Sequence, residues 1–213
     1  MHTGYELLWM AAERTPMHPA LIDDRTDRRL TYAELIAEVD AVAAGFAARG
    51  IGRGVRVAIA LPGVWEHCIA ILALMRLNAV PAVLNFRLKP DEIAGLCRTS
   101  EVDAAIIQPD PALTQVIEKA LPDGAPIWAV GAEIGSARSF AACRADAASL
   151  GTYEKPAETG IAFLFYTSGT TGLPKAVVLN QRTSNTALSF CLRRAGCVRV
   201  RIIGHLAVCP SAT

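Results

Sequence analysis

Two kinds of hydrophobic pattern alternate along most of the chain. Residues 55–61, 80–84, 104–107 and 127–130 are short, nearly unbroken apolar runs, the pattern of strands buried on both faces. Between them lie segments whose apolar residues recur every three or four positions, predicting helices over 64–77, from about Pro90, and over 112–120. The first helix is expected over 5–12, ending near Pro16, and a short strand over 20–23. Thr31-Tyr-Ala-Glu34 has the spacing of a capping box, in which Thr31 caps a backbone N–H and Glu34 reaches back. Leu35, Val39, Val42 and Phe46 then follow on one helical face, and Gly50 suits the stop.

Strands alternating with helices predict an α/β architecture, a mainly parallel sheet flanked by helices. Residues 131–158, rich in Ala, Gly and Ser, read as helix and surface connection. Strands are expected again at 161–167 and 176–179, so residues 168–175 form a loop between them.

That loop carries the chemistry. Glycines at 169 and 172 let a ligand approach the main chain, and successive backbone N–H groups in such a turn form a concave anion site. Thr167, Ser168, Thr170 and Thr171 add hydroxyl donors, and Lys175 adds a point charge. Together they suit a polyphosphate; the plain alternative is a polar hairpin turn with no ligand. The Walker spacing is absent, because Pro174 precedes Lys175 and Ala176 follows it. Gly50, Gly52 and Gly54 precede a strand, whereas a dinucleotide fingerprint opens a helix.

The ten residues from Tyr166 to Lys175, YTSGTTGLPK, closely resemble the signature loop of the adenylate-forming (AMP-binding) enzymes. That superfamily includes acyl-CoA synthetases, luciferases and peptide-synthetase adenylation domains. The segments LTYAELIAEVDAVAAGFAARGIGRGVRVAIALP and LNAVPAVLNFRLKPDEI extend the likeness, which covers about residues 5–190. The resemblance implies the N-terminal part of the large domain of a fatty-acid–CoA ligase, present incompletely. It also implies that Thr167, Ser168, Gly169, Thr170, Thr171, Gly172 and Lys175 hold the β- and γ-phosphates of ATP. ATP, Mg2+, coenzyme A and a carboxylic acid are the small molecules expected of the full-length family. The family's downstream motifs, which complete the metal and ribose sites, are not among these 213 residues. Weak ATP or pyrophosphate binding without turnover is therefore the expectation, with a non-catalytic nucleotide- or partner-binding remnant as the alternative.

Composition narrows the rest. The chain is 52% hydrophobic and 19% charged, with a net charge of +1, which gives no reason to expect a nucleic-acid partner. Its six cysteines form no Cys-x-x-Cys pair and its histidines lack metal-ligand spacing, so reduced thiols in a cytoplasmic protein are expected. His67 reads as a helix-surface or core-edge residue. No apolar stretch approaches the roughly 20 residues of a membrane span, and Glu6 and Glu13 stand where a secretory leader would be apolar.

After Glu158 there is no Asp or Glu, while Lys175, Arg182, Arg193, Arg194, Arg199 and Arg201 follow. The partial domain is accordingly placed at residues 1–192. Residues 193–213 read as an atypical basic tail, frameshifted or disordered, with a peripheral anionic-surface contact as a lesser reading. Strand faces left uncovered in a partial sheet predict self-association.

Overall fold

In a computed structural model that describes residues 2–167 and 174–185, together with the backbone of residues 200–203 and 206–208, Thr3 and Thr31 open the first two helices alike. Helix α1 (Gly4–Arg14) and helix α2 (Tyr32–Ala47) each start in a complete capping box. At the second, Thr31 Oγ1 accepts from the Glu34 N–H at 3.3 Å, and the Glu34 carboxylate accepts from the Thr31 N–H at 2.8 Å. Helix α2 ends where expected, with Gly50 in the left-handed region at φ 81°.

Two sheets follow. The smaller is built on β1 (Pro19–Asp23) and β2 (Arg28–Thr31), an antiparallel pair turned through Asp27 at φ 50°. The larger contains β3 (Arg56–Ala60), β4 (Val80–Val83), β5 (Ala104–Ile107), β6 (Ile127–Ala129), β7 (Arg138–Ser139), β8 (Ile161–Thr167) and β9 (Lys175–Asn180). Its order is β7-β6-β5-β3-β4-β8-β9, and every neighbouring pair is parallel except β8 with β9. Helix α3 (Trp65–Arg76) connects β3 to β4, α4 (Pro90–Thr99) connects β4 to β5, and α5 (Pro111–Glu118) connects β5 to β6. Strands β10 (Val200–Ile203) and β11 (Leu206–Val208) extend the smaller sheet, β10 lying parallel to β1 with Leu21 opposite Val200.

The two-residue period of the strands separates two cores. Val57, Ile59, Ile106 and Trp128 face α1, α2 and α3, where they meet Leu8, Val39, Phe46 and Ile69. Phe46 packs on Trp128 with ring centroids 4.8 Å apart, inside the range favourable for tilted aromatic pairs. Ala58, Ala60, Ala82, Ala105, Ile107 and Ala129 face the other way, onto Ile93 of α4 and Leu113 and Ile117 of α5. Small residues on that face let the two helices lie close to the sheet.

Residues 131–158 depart from the expected helix. They contain β7 and two 3-10 turns, Phe140–Cys143 and Ala147–Ser149, and no α-helix. Ser139 and Asp146 each accept from the N–H two residues on, which closes short turns instead of longer helices. Tertiary packing then holds the segment in place. Gly45 of α2 lies against the Cys143 carbonyl so closely that an added Cβ would stand 1.2 Å from the oxygen. Ala145 donates its N–H to the Ala41 carbonyl at 3.0 Å, and Arg144 pairs with Glu38.

The connections single out one edge of the larger sheet. From β3 the chain moves sideways to β4, then returns across β3 to β5 and continues to β6. Connections from β3 and β5 therefore leave in opposite directions. In open α/β sheets, ligands bind outside the carboxyl ends of the strands at such a point. Strand β8, added beside β4, delivers its carboxyl end to the same edge.

Candidate phosphate-binding hairpin

Strand β8 changes character along its length. Ala162, Phe163 and Leu164 are buried; Phe165 is 39% exposed, and Thr167 is also exposed. This change follows the neighbours: β8 pairs with β4 at Ala82–Leu164 and Val83–Phe165, and the residues beyond extend past that register. Strand β9 returns antiparallel from Lys175, and the register places Thr167 opposite Lys175 and Tyr166 opposite Ala176.

The strand expected at 161–167 is found with those limits, and the one expected at 176–179 is β9, a residue longer at each end. Of the proposed phosphate-binding residues, Thr167 and Lys175 are thus brought together at the mouth of the hairpin, both exposed. Ser168, Gly169, Thr170, Thr171 and Gly172 lie outside the described residues. An ammonium group beside a hydroxyl on an exposed sheet edge can receive an anionic ligand at little desolvation cost.

Tyr166 anchors the hairpin from within. Its ring packs on the α4–α5 side of the sheet, and its hydroxyl donates to Ser100 Oγ at 2.6 Å. Burial pushes the phenol above its usual range, while the bond to Ser100 acts in the opposite direction. Ser100 caps the carboxyl end of α4 and is itself buried.

Other groups occupy the carboxyl edge. Arg87 follows β4 in an exposed turn, where its N–H donates to Asn85 Oδ1 at 3.0 Å and its guanidinium lies 5.5 Å from the Phe86 ring. The sign of this cation in the sequence is the polar Asn-x-Arg directly after the apolar run 80–84, outside the motif itself. His67 lies in the first turn of α3 with Nδ1 3.2 Å from the Pro62 carbonyl, and burial holds its pKa below the usual value. It is half-buried at the core edge, and among the described residues no group of three His, Cys, Asp or Glu is placed to hold a metal.

A cavity of about 540 Å3 lies elsewhere, at the amino-terminal end of β6 between Arg49, Asp123, Trp128 and Arg138. Glu118 and Asp123 line it together with these two arginines, so its formal charges offset and it is a poorer anion site than the hairpin. The carboxyl edge, with its motif, is the stronger candidate.

Comparison with known proteins agrees with the motif. A family model described as AMP-binding enzyme matches residues 8–206. A 4-chlorobenzoate–CoA ligase from an Arthrobacter species is 37% identical over 205 residues, 96% of this chain and 38% of that protein. The long-chain-fatty-acid–CoA ligase FadD13 of Mycobacterium tuberculosis is 31% identical over 186 residues, 85% of this chain and 36% of its own length. Among solved structures, Mycobacterium smegmatis MbtA superposes with a TM-score of 0.78 at 27% identity, over 92% of this chain and 37% of that one. A Mycobacterium tuberculosis fatty acyl CoA synthetase gives 0.69 at 26% identity, over 91% and 36%. The chain spans less than two-fifths of the length of these curated relatives.

Proposed function

The chain belongs to the AMP-binding enzyme family, and on that premise we propose that it is the amino-terminal portion of an ATP-dependent acid–CoA ligase whose β8–β9 hairpin holds the β- and γ-phosphates. One observation carries the reading: the TSGTTGLPK run joins two paired strands, Thr167 opposite Lys175, at the carboxyl edge of a mainly parallel sheet. In the reaction so assigned, a substrate carboxylate attacks the α-phosphorus of ATP, the bond to the β-phosphate oxygen breaks, and pyrophosphate departs. A thiol, that of coenzyme A, then takes the acyl group and releases AMP. Lys175 and the hydroxyls of Thr167, Ser168, Thr170 and Thr171 would stabilise charge on the departing pyrophosphate, while Gly169 and Gly172 give access to backbone N–H groups. Mg2+ would accompany the nucleotide, spreading charge across the phosphates.

The acid is a carboxylate of aromatic or fatty type, since CoA ligases named for each are among the relatives. We place the work in the cytoplasm and assign no nucleic-acid partner. The 213 residues alone are expected to bind without turning over. A grip that is equal in ground and transition states does not accelerate a reaction, and the chain spans 38% of its 37%-identical relative.

Binding and turnover are tested separately. Titration with pyrophosphate and with ATP is expected to show weak binding that falls as salt rises. Lys175→Ala should weaken it about tenfold, the scale of one charged hydrogen bond, whereas Lys119→Ala, at the end of α5, should not. Equal effects would remove the hairpin from the site. Carboxylate-dependent exchange of labelled pyrophosphate into ATP should stay at the level of the Lys175→Ala control, and clear turnover would overturn the claim of inactivity.

A further inference from the structure

The hairpin mouth has little lateral support from the sheet. The β4 register with β8 ends at Phe165, and β9 is the outermost strand. Tyr166 and Thr167 therefore project past their parallel neighbour, and Lys175 hangs from them by the antiparallel pairing. Across the sheet face, the Tyr166 hydroxyl reaches Ser100, which is 66 positions earlier in the chain, at 2.6 Å.

Ser100 is well fixed for this task. Its N–H donates to the Leu96 carbonyl at 3.0 Å, and its carbonyl accepts from the Arg56 guanidinium at 2.8 Å. Arg56 opens β3, the strand between β5 and β4, and its own N–H donates to Asp103 Oδ2 at 2.8 Å. A path of hydrogen bonds thus runs from the start of a central strand, through the cap of α4, to the residue that precedes Thr167. Precise binding groups need such support, because a side chain on an unbraced strand end samples several positions and binds its ligand less often.

We propose that Ser100 is a positioning residue for the phosphate-binding hairpin, acting through the Tyr166 hydroxyl to hold Thr167 and Lys175 in place for a diphosphate. The proposal rests on the phosphate reading of the hairpin. Ser100 touches no ligand itself. Its loss costs affinity, on the scale of one neutral hydrogen bond, about three- to tenfold.

The test uses the whole chain and inorganic pyrophosphate as the probe, with affinities from calorimetric titration. Ser100→Ala and Tyr166→Phe should each weaken binding about three- to tenfold, and the double variant should weaken it no further, because both remove the same bond. Ser100→Thr, which keeps the hydroxyl, should restore affinity. Thr99→Ala removes the neighbouring hydroxyl, which bonds the Gly95 carbonyl at 2.8 Å, and should leave affinity unchanged. Unaltered affinity in Ser100→Ala, or losses that add in the double variant, would overturn the proposal.

Amide hydrogen exchange supplies a readout independent of binding. Residues 165–167 and 175–177 should exchange faster in Ser100→Ala and Tyr166→Phe than in the unaltered chain and Thr99→Ala. If the unaltered chain binds no pyrophosphate, the phosphate reading fails and positioning for a diphosphate falls with it. Faster exchange would then leave Ser100 as a brace of the hairpin alone. Unchanged exchange would remove that role too.

Discussion

Gly45 and Gly95 sit inside helices, where propensity alone predicts that alanine stabilises each by roughly 1 kcal/mol. Packing predicts opposite signs. At Gly95, in α4, an added Cβ meets nothing within 4 Å, so Gly95→Ala should show the propensity gain. At Gly45 the same atom would stand 1.2 Å from the Cys143 carbonyl oxygen and 2.4 Å from its carbon. Ordinary contact begins near 3.4 Å, so residues 140–146 must retreat by about 2 Å. That movement breaks the Ala145–Ala41 hydrogen bond and the Arg144–Glu38 pair, and loosens Phe140 against Phe46. Overpacking of this kind costs about 1–3 kcal/mol, the lost hydrogen bond about 1, and partial exposure of Phe140 about another 1. Set against the propensity gain, Gly45→Ala should lose roughly 3 kcal/mol net. For a chain of this size that lowers Tm by about 6–12 °C. Urea and thermal unfolding followed by circular dichroism would measure both variants. Equal stabilisation by the two alanines would refute the packing argument, since it would mean that the 138–150 segment does not lie against α2.

Acid should expose a second feature. Asp23 is fully buried; burial pushes its carboxyl up, but Arg25, with its guanidinium and N–H on the carboxylate, outweighs this and holds it below the ordinary range. Because the folded pKa lies under the unfolded one, this stability is complete above about pH 4 and is lost as pH falls through the folded value. Asp23→Asn should therefore destabilise by about 1–3 kcal/mol near neutrality, a figure reduced because Arg25 is partly exposed, and by less at pH 3. An unfolding free-energy gap that did not shrink with acid would contradict the assignment. At the sheet edge, Phe165, Val177 and Val178 are 39, 38 and 56% exposed, so the chain should self-associate, and Val178→Lys should reduce this in sedimentation velocity. A monodisperse monomer, or no change on adding the lysine, would count against the edge as the contact.

What the sequence made legible was mostly local. Thr31 and Glu34 announce α2 through backbone groups within one turn, and β5 stands at the expected 104–107 because Ala-Ala-Ile-Ile is buried on both faces. Strand β2 escaped notice because Arg28 and Arg29 hide a two-residue alternation, and its pairing depends on the Asp27 turn. The 3-10 turns of 138–150 are closed locally by Ser139 and Asp146, but their seat on α2 depends on a glycine nearly a hundred residues earlier, a contact that no periodicity encodes. Likewise the polar, glycine-rich run between Thr167 and Lys175 is plain in the sequence, but the contact of Ser100 with Tyr166 is not. A serine at a helix end carries no sign of the tyrosine it will hold.

The place of β8 in the sheet also has a consequence for the order in which the molecule is assembled. Ala82 of β4 finds its partner in Leu164, 82 positions later, whereas β3, β4, β5 and β6 with their three helices are complete by Ala129. At ribosomal speeds of about 5–20 residues per second, the outer edge of β4 waits roughly 4–16 s for its neighbour. The seat of the β8–β9 hairpin is thus finished before the hairpin exists, and the distant pairing of β8 with β4 adds its loop-closure cost to a late step of forming this sheet.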